Sequence, residues 1–414
     1  MAVIEPNVVG LELEKVVTDV QTLFEQDDMF FNNIKKKNVQ VISYRQMRVP
    51  LKLRPGGNFG YFDPNGGDLG RGSGPEWDKA VVQSVFLKEG VEYTKLTEWA
   101  TDDKRKSVQN AVRELVANTL DEFKKQIDSQ MMQSGTGQVG TISTVTAGAG
   151  FDTYVLTNTF GAKLVRYNQV VQVFDATLAT LRGSGRITQW DVANNTIQVT
   201  PNVAGAIATD VLVTEGITSP LSMPALYGVP YQHSNASTGT WLGFSRASTP
   251  EIRANRVNAG GSAFSIPLPR LAINQIGNRV GINNNFNPKA WLHPCQKQAY
   301  EDVGQSVSFI PKQPKEEGLN MYFDKMSMAG APTMESFSWD KTRIDFVTDS
   351  VWGRGETLPI GFYKTDGRNI FEIRGASGGV ATAEIFYMVT GFQVFVNNPA
   401  ACAYIDNLQI PAGY

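Results

Sequence analysis

Ser377 lies in Gly375-Ala376-Ser377-Gly378-Gly379, which has the G-x-S-x-G spacing. A serine so flanked becomes a nucleophile when a strand runs into the turn, a helix leaves it, and a histidine follows later in the chain. Here a strand-like run follows, and the only histidines, His233 and His293, both precede Ser377. The segment therefore reads as a glycine turn between strands. His293 and Cys295 stand two apart, as a fragment of a metal site would. No C-x-x-C or H-x-x-x-H completes a ligand set, so the pair reads as a polar cap between a strand and a helix. Gly70, Gly72 and Gly74 are not followed by Lys-Ser/Thr, which removes the phosphate-loop reading. Residues 63–68, DPNGGD, carry the acids of a calcium loop, but Gly74 stands where its bidentate Glu is needed. No paired-carboxylate motif stands out. The chain reads as no enzyme, with no catalytic, cofactor or metal site.

A second set of residues suits binding rather than reaction. Between Asp28 and Asp63 there is no acid, while Lys35, Lys36, Lys37, Arg45, Arg48, Lys52 and Arg54 are all basic. Such a run meets DNA phosphates or an acidic neighbouring surface, or is simply a solvated strand face. Beyond it comes RPGGNFGYFDPNGGDLGRGSGPEW (54–77), with eight glycines. Ordering glycine costs the most backbone entropy, so this stretch supports no core of its own. Yet Phe59, Tyr61, Phe62, Leu69 and Trp77 are interleaved, together with Arg71. Apolar side chains on a loose tip call for a partner that covers them. The expected contact set is Arg45, Arg48, Lys52, Arg54, Phe59, Tyr61, Phe62, Arg71 and Trp77.

The elements that must position this set can be read from periodicity. Val39, Val41, Met47, Val49, Leu51 and Leu53 alternate with Gln40, Gln46, Arg48, Lys52 and Arg54, which predicts one strand over 39–54 with one wet face. Pro50 places it at an edge or a bend. The chain returns as a second strand from Ala80, so residues 39–98 form an extended two-stranded arm. Thr101–Ser134 contains no Gly or Pro. Val108, Val112, Leu115, Val116, Thr119, Leu120, Phe123, Ile127 and Met131 recur there at helical spacing, so one long one-sided helix is expected. Residues 1–38 read as an arm with a short amphipathic helix at Leu11–Phe24.

After Gly135 the pattern becomes short strands at Tyr154–Thr157, Val170–Phe174, Arg186–Trp190, Thr196–Thr200 and Val211–Thr214. They predict a small barrel or sandwich inserted at 139–216. From 217 to 375 the chain is mixed, with helices at Pro269–Arg279 and Gln296–Ser306 and strands at Ala290–Leu292, Arg343–Val347 and Ile370–Ile373. It ends in a β run that breaks at Asn398-Pro399.

Bulk properties bound these readings. The 414 residues suggest two or three domains, each able to bury a core. The 38 basic and 40 acidic side chains nearly balance, so net charge alone points to neither nucleic acid nor membrane. Two distant cysteines imply no disulfide framework. The N-terminus lacks a signal-peptide pattern and no apolar run approaches a membrane span, so no membrane partner is expected.

The order of these pieces resembles the major capsid protein of tailed bacteriophages. The resemblance is carried by LDEFKKQIDSQMMQSGTG (120–137), ALYGVPYQHSN with WLGFSRASTPEIRANRVN (225–258), AWLHPCQKQAY (290–300) and FQVFVNNPAACAYIDNL (392–408). It covers most of the chain outside 139–216 and rests on order rather than on a strict motif. It implies an α+β chain with the Hong Kong 97-like fold. The parts would be an N-terminal arm (1–38), an extension loop (39–98) and a peripheral domain with a spine helix (99–138 and 376–414). An inserted small all-β domain (139–216) and an axial domain (217–375) would complete it. The implied partner is the chain itself, in hexamers and pentamers of an icosahedral shell around double-stranded DNA held by non-specific contacts. A separate scaffolding protein, a cement or decoration protein and a portal are further implied partners. The implied location is the virion, after synthesis in the host cytoplasm. Some members join a loop Lys to a peripheral Asn; Lys52 or Lys79 with Asn397 or Asn398 would be the counterparts here. An encapsulin-type shell around protein cargo and a tail or neck component are the alternatives.

Overall fold

The computed structural model describes residues 30–61, 70–94, 105–157, 161–192, 194–217, 219–221, 225–281, 287–307, 327–374 and 380–413. The expected helix at 11–24, Phe62, the DPNGGD run and the Ser377 turn lie outside the described residues. The fold is mixed α/β.

The first elements are α1 (Phe30–Asn33), β1 (Gln40–Ser43), β2 (Gln46–Arg54), β3 (Glu76–Gln83), β4 (Val85–Thr94) and α2 (Arg105–Gln130). The single strand expected over 39–54 is in fact two. The chain turns back at Tyr44-Arg45, and β1 pairs antiparallel with β2, Gln40 opposite Arg48. The return strand also divides. β3 pairs with β2, Gln46 opposite Gln83, whereas β4 crosses to another sheet. The break falls at Ser84, whose N–H donates to the Arg45 carbonyl at 2.9 Å and is lost to both ladders.

Helix α2 follows its periodicity. Val116, Leu120, Phe123, Ile127 and Met131 are all buried, and they share one core with Phe386, Met388, Phe392, Val394 and Val396. At 1.5 Å per residue the 26 residues span about 39 Å. The side chains of Val108, Val112 and Leu115 lie outside the described set. The sheet under α2 is made of β18 (Trp352–Phe362), β20 (Val380–Val396) and β19 (Ile370–Arg374), with β4 pairing along β20. Helix α1 is plugged into the same core. Phe30 meets Trp291, Trp339 and Trp352 edge-on at 4.9, 5.2 and 5.3 Å between ring centroids. Asp128 of α2 accepts from the Phe31 N–H at 3.2 Å.

Six strands then close into a barrel: β5 (Gln138–Ala147), β6 (Asp152–Leu156), β7 (Val170–Phe174), β8 (Leu181–Asp191), β9 (Thr196–Thr200) and β10 (Val211–Thr214), in the order β10-β5-β6-β9-β8-β7. Strand β5 is the one that residue pattern does not announce. Gly140, Ser143 and several threonines dilute its alternation, and its register shifts between Ile142 and Thr144. The interior holds Val139, Tyr154, Val173, Ile187, Val199 and Leu212.

The remaining sheet has the order β13-β21-β17-β14-β16-β15. Its strands are β13 (Asn255–Asn258), β14 (Pro288–Leu292), β15 (Ser327–Met328), β16 (Ala331–Glu335), β17 (Ile344–Thr348) and β21 (Ala403–Asp406). Helices α4 (Pro267–Val280) and α5 (Pro294–Val307) accompany it, after the short α3 (Val229–Gln232) and the two-residue strands β11 (Thr240–Trp241) and β12 (Phe244–Ser245). The expected helices and strands at 269–306 and 343–373 are all present, with ends that differ by no more than two residues. No helix among the described residues is long and apolar enough to cross a membrane.

Candidate inter-subunit surface

Alternation in β2 and β3 sorts the arm into two faces. Met47, Val49, Leu51, Ala80 and Val82 are buried against Trp241, Leu242, Ile252 and Phe395. The Val81 N–H also donates to the Leu242 carbonyl at 3.0 Å, so the root of the hairpin is fixed. Val41, expected on the buried face, is instead 51% exposed, because β1 folds back as an edge strand.

The tip tightens without packing. The Gly57 N–H donates to the Ser73 carbonyl at 2.7 Å. Gly56 comes so close to the returning chain that a Cβ there would sit 2.3 Å from the Gly74 carbonyl carbon, so only glycine fits. Beyond this neck Phe59 is 93% exposed and Tyr61 99%, and on the root side of it Trp77 of β3, opposite Lys52, is 63% exposed. The Phe59 and Tyr61 rings meet edge-on at 6.2 Å between centroids. Arg71 is exposed beside them.

The basic residues fall into two groups. Arg45, Lys52 and Arg71 are exposed, with Arg45 stacked over Tyr44 at 5.5 Å and Lys52 over Trp77 at 5.7 Å. Arg54, Lys36 and Lys37 are engaged within the chain. Arg54 bridges Glu76 across the hairpin at 3.4 Å and Glu251 at 3.3 Å, and donates to the Ser248 carbonyl at 3.2 Å. Lys36 pairs with Glu356 at 2.7 Å, and Lys37 donates to the Ser350 carbonyl at 3.0 Å. Arg48 is half-buried. The run from Lys35 to Arg54 is therefore not one continuous open basic face. Sequence reading also missed an apolar patch at the arm's root, formed by Val41, Ile42, Tyr44 and Phe86, all exposed, with the Tyr44 and Phe86 rings 6.4 Å apart. The signal for it was the polar run Ser43-Tyr44-Arg45-Gln46, which interrupts the alternation.

The residues with chemical potential are otherwise committed to structure. His293 Nδ1 accepts from the Cys295 N–H at 3.1 Å where β14 passes into α5, which is the cap expected of it. His233 makes a constellation that spacing could not reveal. Its Nδ1 lies 2.9 Å from Asp345 Oδ1, the Cys402 side chain is a neighbour, and Nε2 is buried with no hydrogen-bond partner among the described residues. Arg343 donates to both Asp345 oxygens at 2.8 Å, and Trp339 Nε1 donates to Oδ2 at 3.1 Å. Burial acts against a charge on His233, but Cys402 and Asp345 outweigh it and raise its pKa to about 9. Burial likewise opposes ionised Asp345, yet Arg343 and His233 hold it down to about 2. A thiol, an imidazole and a carboxylate in line resemble a nucleophile set. Here His233, Asp345 and Cys402 are all fully buried, which leaves a substrate no approach, and Arg343 already fills the carboxylate.

No family model and no curated protein matches this chain. Solved structures do. The capsid asymmetric unit of Cyanophage A-1(L) is similar over 91% of this chain and 90% of that one, at 10% identity and a TM-score of 0.51. The native GTA particle capsid aligns over 92% and 90%, at 10% identity and a TM-score of 0.46. The SrpI encapsulin of Synechococcus elongatus PCC 7942 aligns over 82% and 80%, at 8% identity and a TM-score of 0.40. At such identities the first likeness speaks for the fold. This chain has the fold of a bacteriophage capsid subunit.

Proposed function

We propose that this chain is the major capsid protein of a tailed bacteriophage and has the Hong Kong 97-like fold. It assembles through hexamers and pentamers into an icosahedral shell around double-stranded DNA, and so resides in the virion. The observation that carries the reading is a likeness to a phage capsid chain along nearly the whole length of both. One feature of the arm supports it. The hairpin β2–β3 presents Phe59, Tyr61 and Trp77 to solvent on a fixed root, as aromatic anchors for another copy would be presented. Such a contact is head-to-tail, and head-to-tail contacts close into rings. In this reading residues 39–98 are the extension loop, 99–138 with 376–414 the peripheral domain, 217–375 the axial domain and 139–216 an insertion. The role is structural rather than enzymatic. Scaffold, cement and portal proteins are its expected partners.

Negative-stain electron microscopy of the purified chain at rising concentration tests this. Closed shells, or five- and six-membered rings, are expected, and particles from infected cells should hold DNA. Tubes would indicate a tail component, and shells filled with protein an encapsulin. A monomer that candidate scaffolding proteins fail to assemble would sink the proposal.

A further inference from the structure

Strand β4 carries one acid on its apolar face. Val85, Leu87, Val91 and Tyr93 pack on the core under α2, and Glu89 shares their parity, whereas Phe86, Lys88 and Glu92 are exposed on the other side. Glu89 Oε2 is buried and has no hydrogen-bond partner among the described residues. The residue opposite it on β20 is Met388, which offers no charge. From α2, among the described residues, the charge of a second acid, Glu122, acts on it. Cations described at this junction include Lys125, which lies 2.7 Å from Asp121 and 3.5 Å from Glu122, and Arg166 beside the barrel, whose Nε lies 3.6 Å from Glu122 Oε2. One turn further on, Gln126 donates to the Leu164 carbonyl at 3.0 Å and ties helix to barrel. Sheet, long helix and barrel thus meet around a buried carboxylate without a hydrogen-bond partner among the described residues, Glu89, whose charge is opposed by that of a half-exposed second acid, Glu122, paired with Lys125 and Arg166.

We propose that this junction is a proton-operated latch: a proton on Glu89 seats α2 against the sheet, and its loss sets Glu89 against Glu122 and loosens the helix beside the barrel. Burial first, then the charge of Glu122, raise the Glu89 pKa from 4.5 to about 7, with Arg166 opposing. An acid raised in the folded state stabilises that state fully below its ordinary value. The contribution is lost as pH rises through the folded value. The latch therefore closes toward pH 4.5 and opens through about pH 7. It is a property of the single chain and stands whether or not the chain builds shells.

Hydrogen-exchange protection of the α2 amides, corrected for intrinsic rates, reads the latch in the full-length chain. In wild type, protection should fall roughly tenfold between mildly acid and mildly alkaline pH. Glu89→Gln, which keeps the shape and removes the charge, should hold the acid level throughout. Glu122→Gln should shrink the difference without abolishing it, because burial is the larger cause. A wild-type helix indifferent to pH, or a Glu89→Gln chain with the wild-type slope, would overturn the latch. Should Glu89→Gln not fold, an unchanged slope in Glu122→Gln would do the same.

Discussion

The barrel and the arm are both antiparallel β structures, yet they treat their edges and faces in opposite ways. The barrel pairs β10 with both β5 and β7, so every strand has two neighbours and no edge is left. Its inward residues, among them Tyr154, Ile187 and Val199, are wholly buried. The arm stops at three strands and leaves β1 as an edge that is exposed along its length. One face of β2 and β3 is covered by Trp241 and Phe395, and the tip keeps its aromatics in water. The barrel satisfies itself. The arm's remaining apolar area is left uncovered by the described residues, and a partner that covered it would stabilise it.

The largest effect should come from the tip. Phe59→Ser, Tyr61→Ser and Trp77→Ser together should abolish shells and rings in electron micrographs. The melting temperature of the unassembled chain should stay near wild type, because exposed sites away from the core usually shift stability by less than about 0.5 kcal/mol. Normal shells from the triple variant would break the comparison at its centre.

The barrel should behave in reverse. Ile187→Ala leaves a cavity in a closed core, and such losses cost about 2–5 kcal/mol. Denaturation followed at Trp190, which lies on β8, should show the barrel's own transition moving earlier, while chains that remain folded still assemble. A barrel variant that blocks assembly at unchanged stability would mean that the barrel, too, is an interface.

How much of this was legible depends on the range of the forces involved. The long helix was, because Val116, Leu120, Phe123, Ile127 and Met131 repeat a local period that burial then enforces. The barrel strands β6, β7, β9 and β10 were legible for the same reason, and β5 was not, because threonine and glycine blur its alternation. The division of the returning strand at Ser84 was not legible either. Val81 and Val85 look equivalent in sequence, but β3 follows β2 whereas β4 follows β20, nearly 300 residues later in the chain. The exposure of Phe59 and Tyr61 was legible because glycine density alone rules out a core around them. The inward ties of Lys36, Lys37 and Arg54 were not, since Glu356, Ser350 and Glu251 are distant in sequence.

Arg54 is the finest test, because sequence reading and structure assign it to opposite sides of the comparison. As one of seven basic residues with no acid among them, it looks like part of an intermolecular face. In the fold it is a strut that joins β2 to Glu76 on β3 and to Glu251 beside β13. All three side chains are about half exposed, so the pairs are screened and contribute about 0–1 kcal/mol. Arg54→Ala should therefore barely move the melting temperature. It should raise the rate of proteolytic cleavage in the glycine loop 55–75 a few-fold, and high salt should raise wild type toward the same rate. Shells should still form if the ties of Arg54 to Glu76 and Glu251 within its own chain are its role. Lost shells with an unchanged cleavage rate would return Arg54 to the contact set, and the arm's orientation would then be fixed by the neighbouring copy instead of by its own chain.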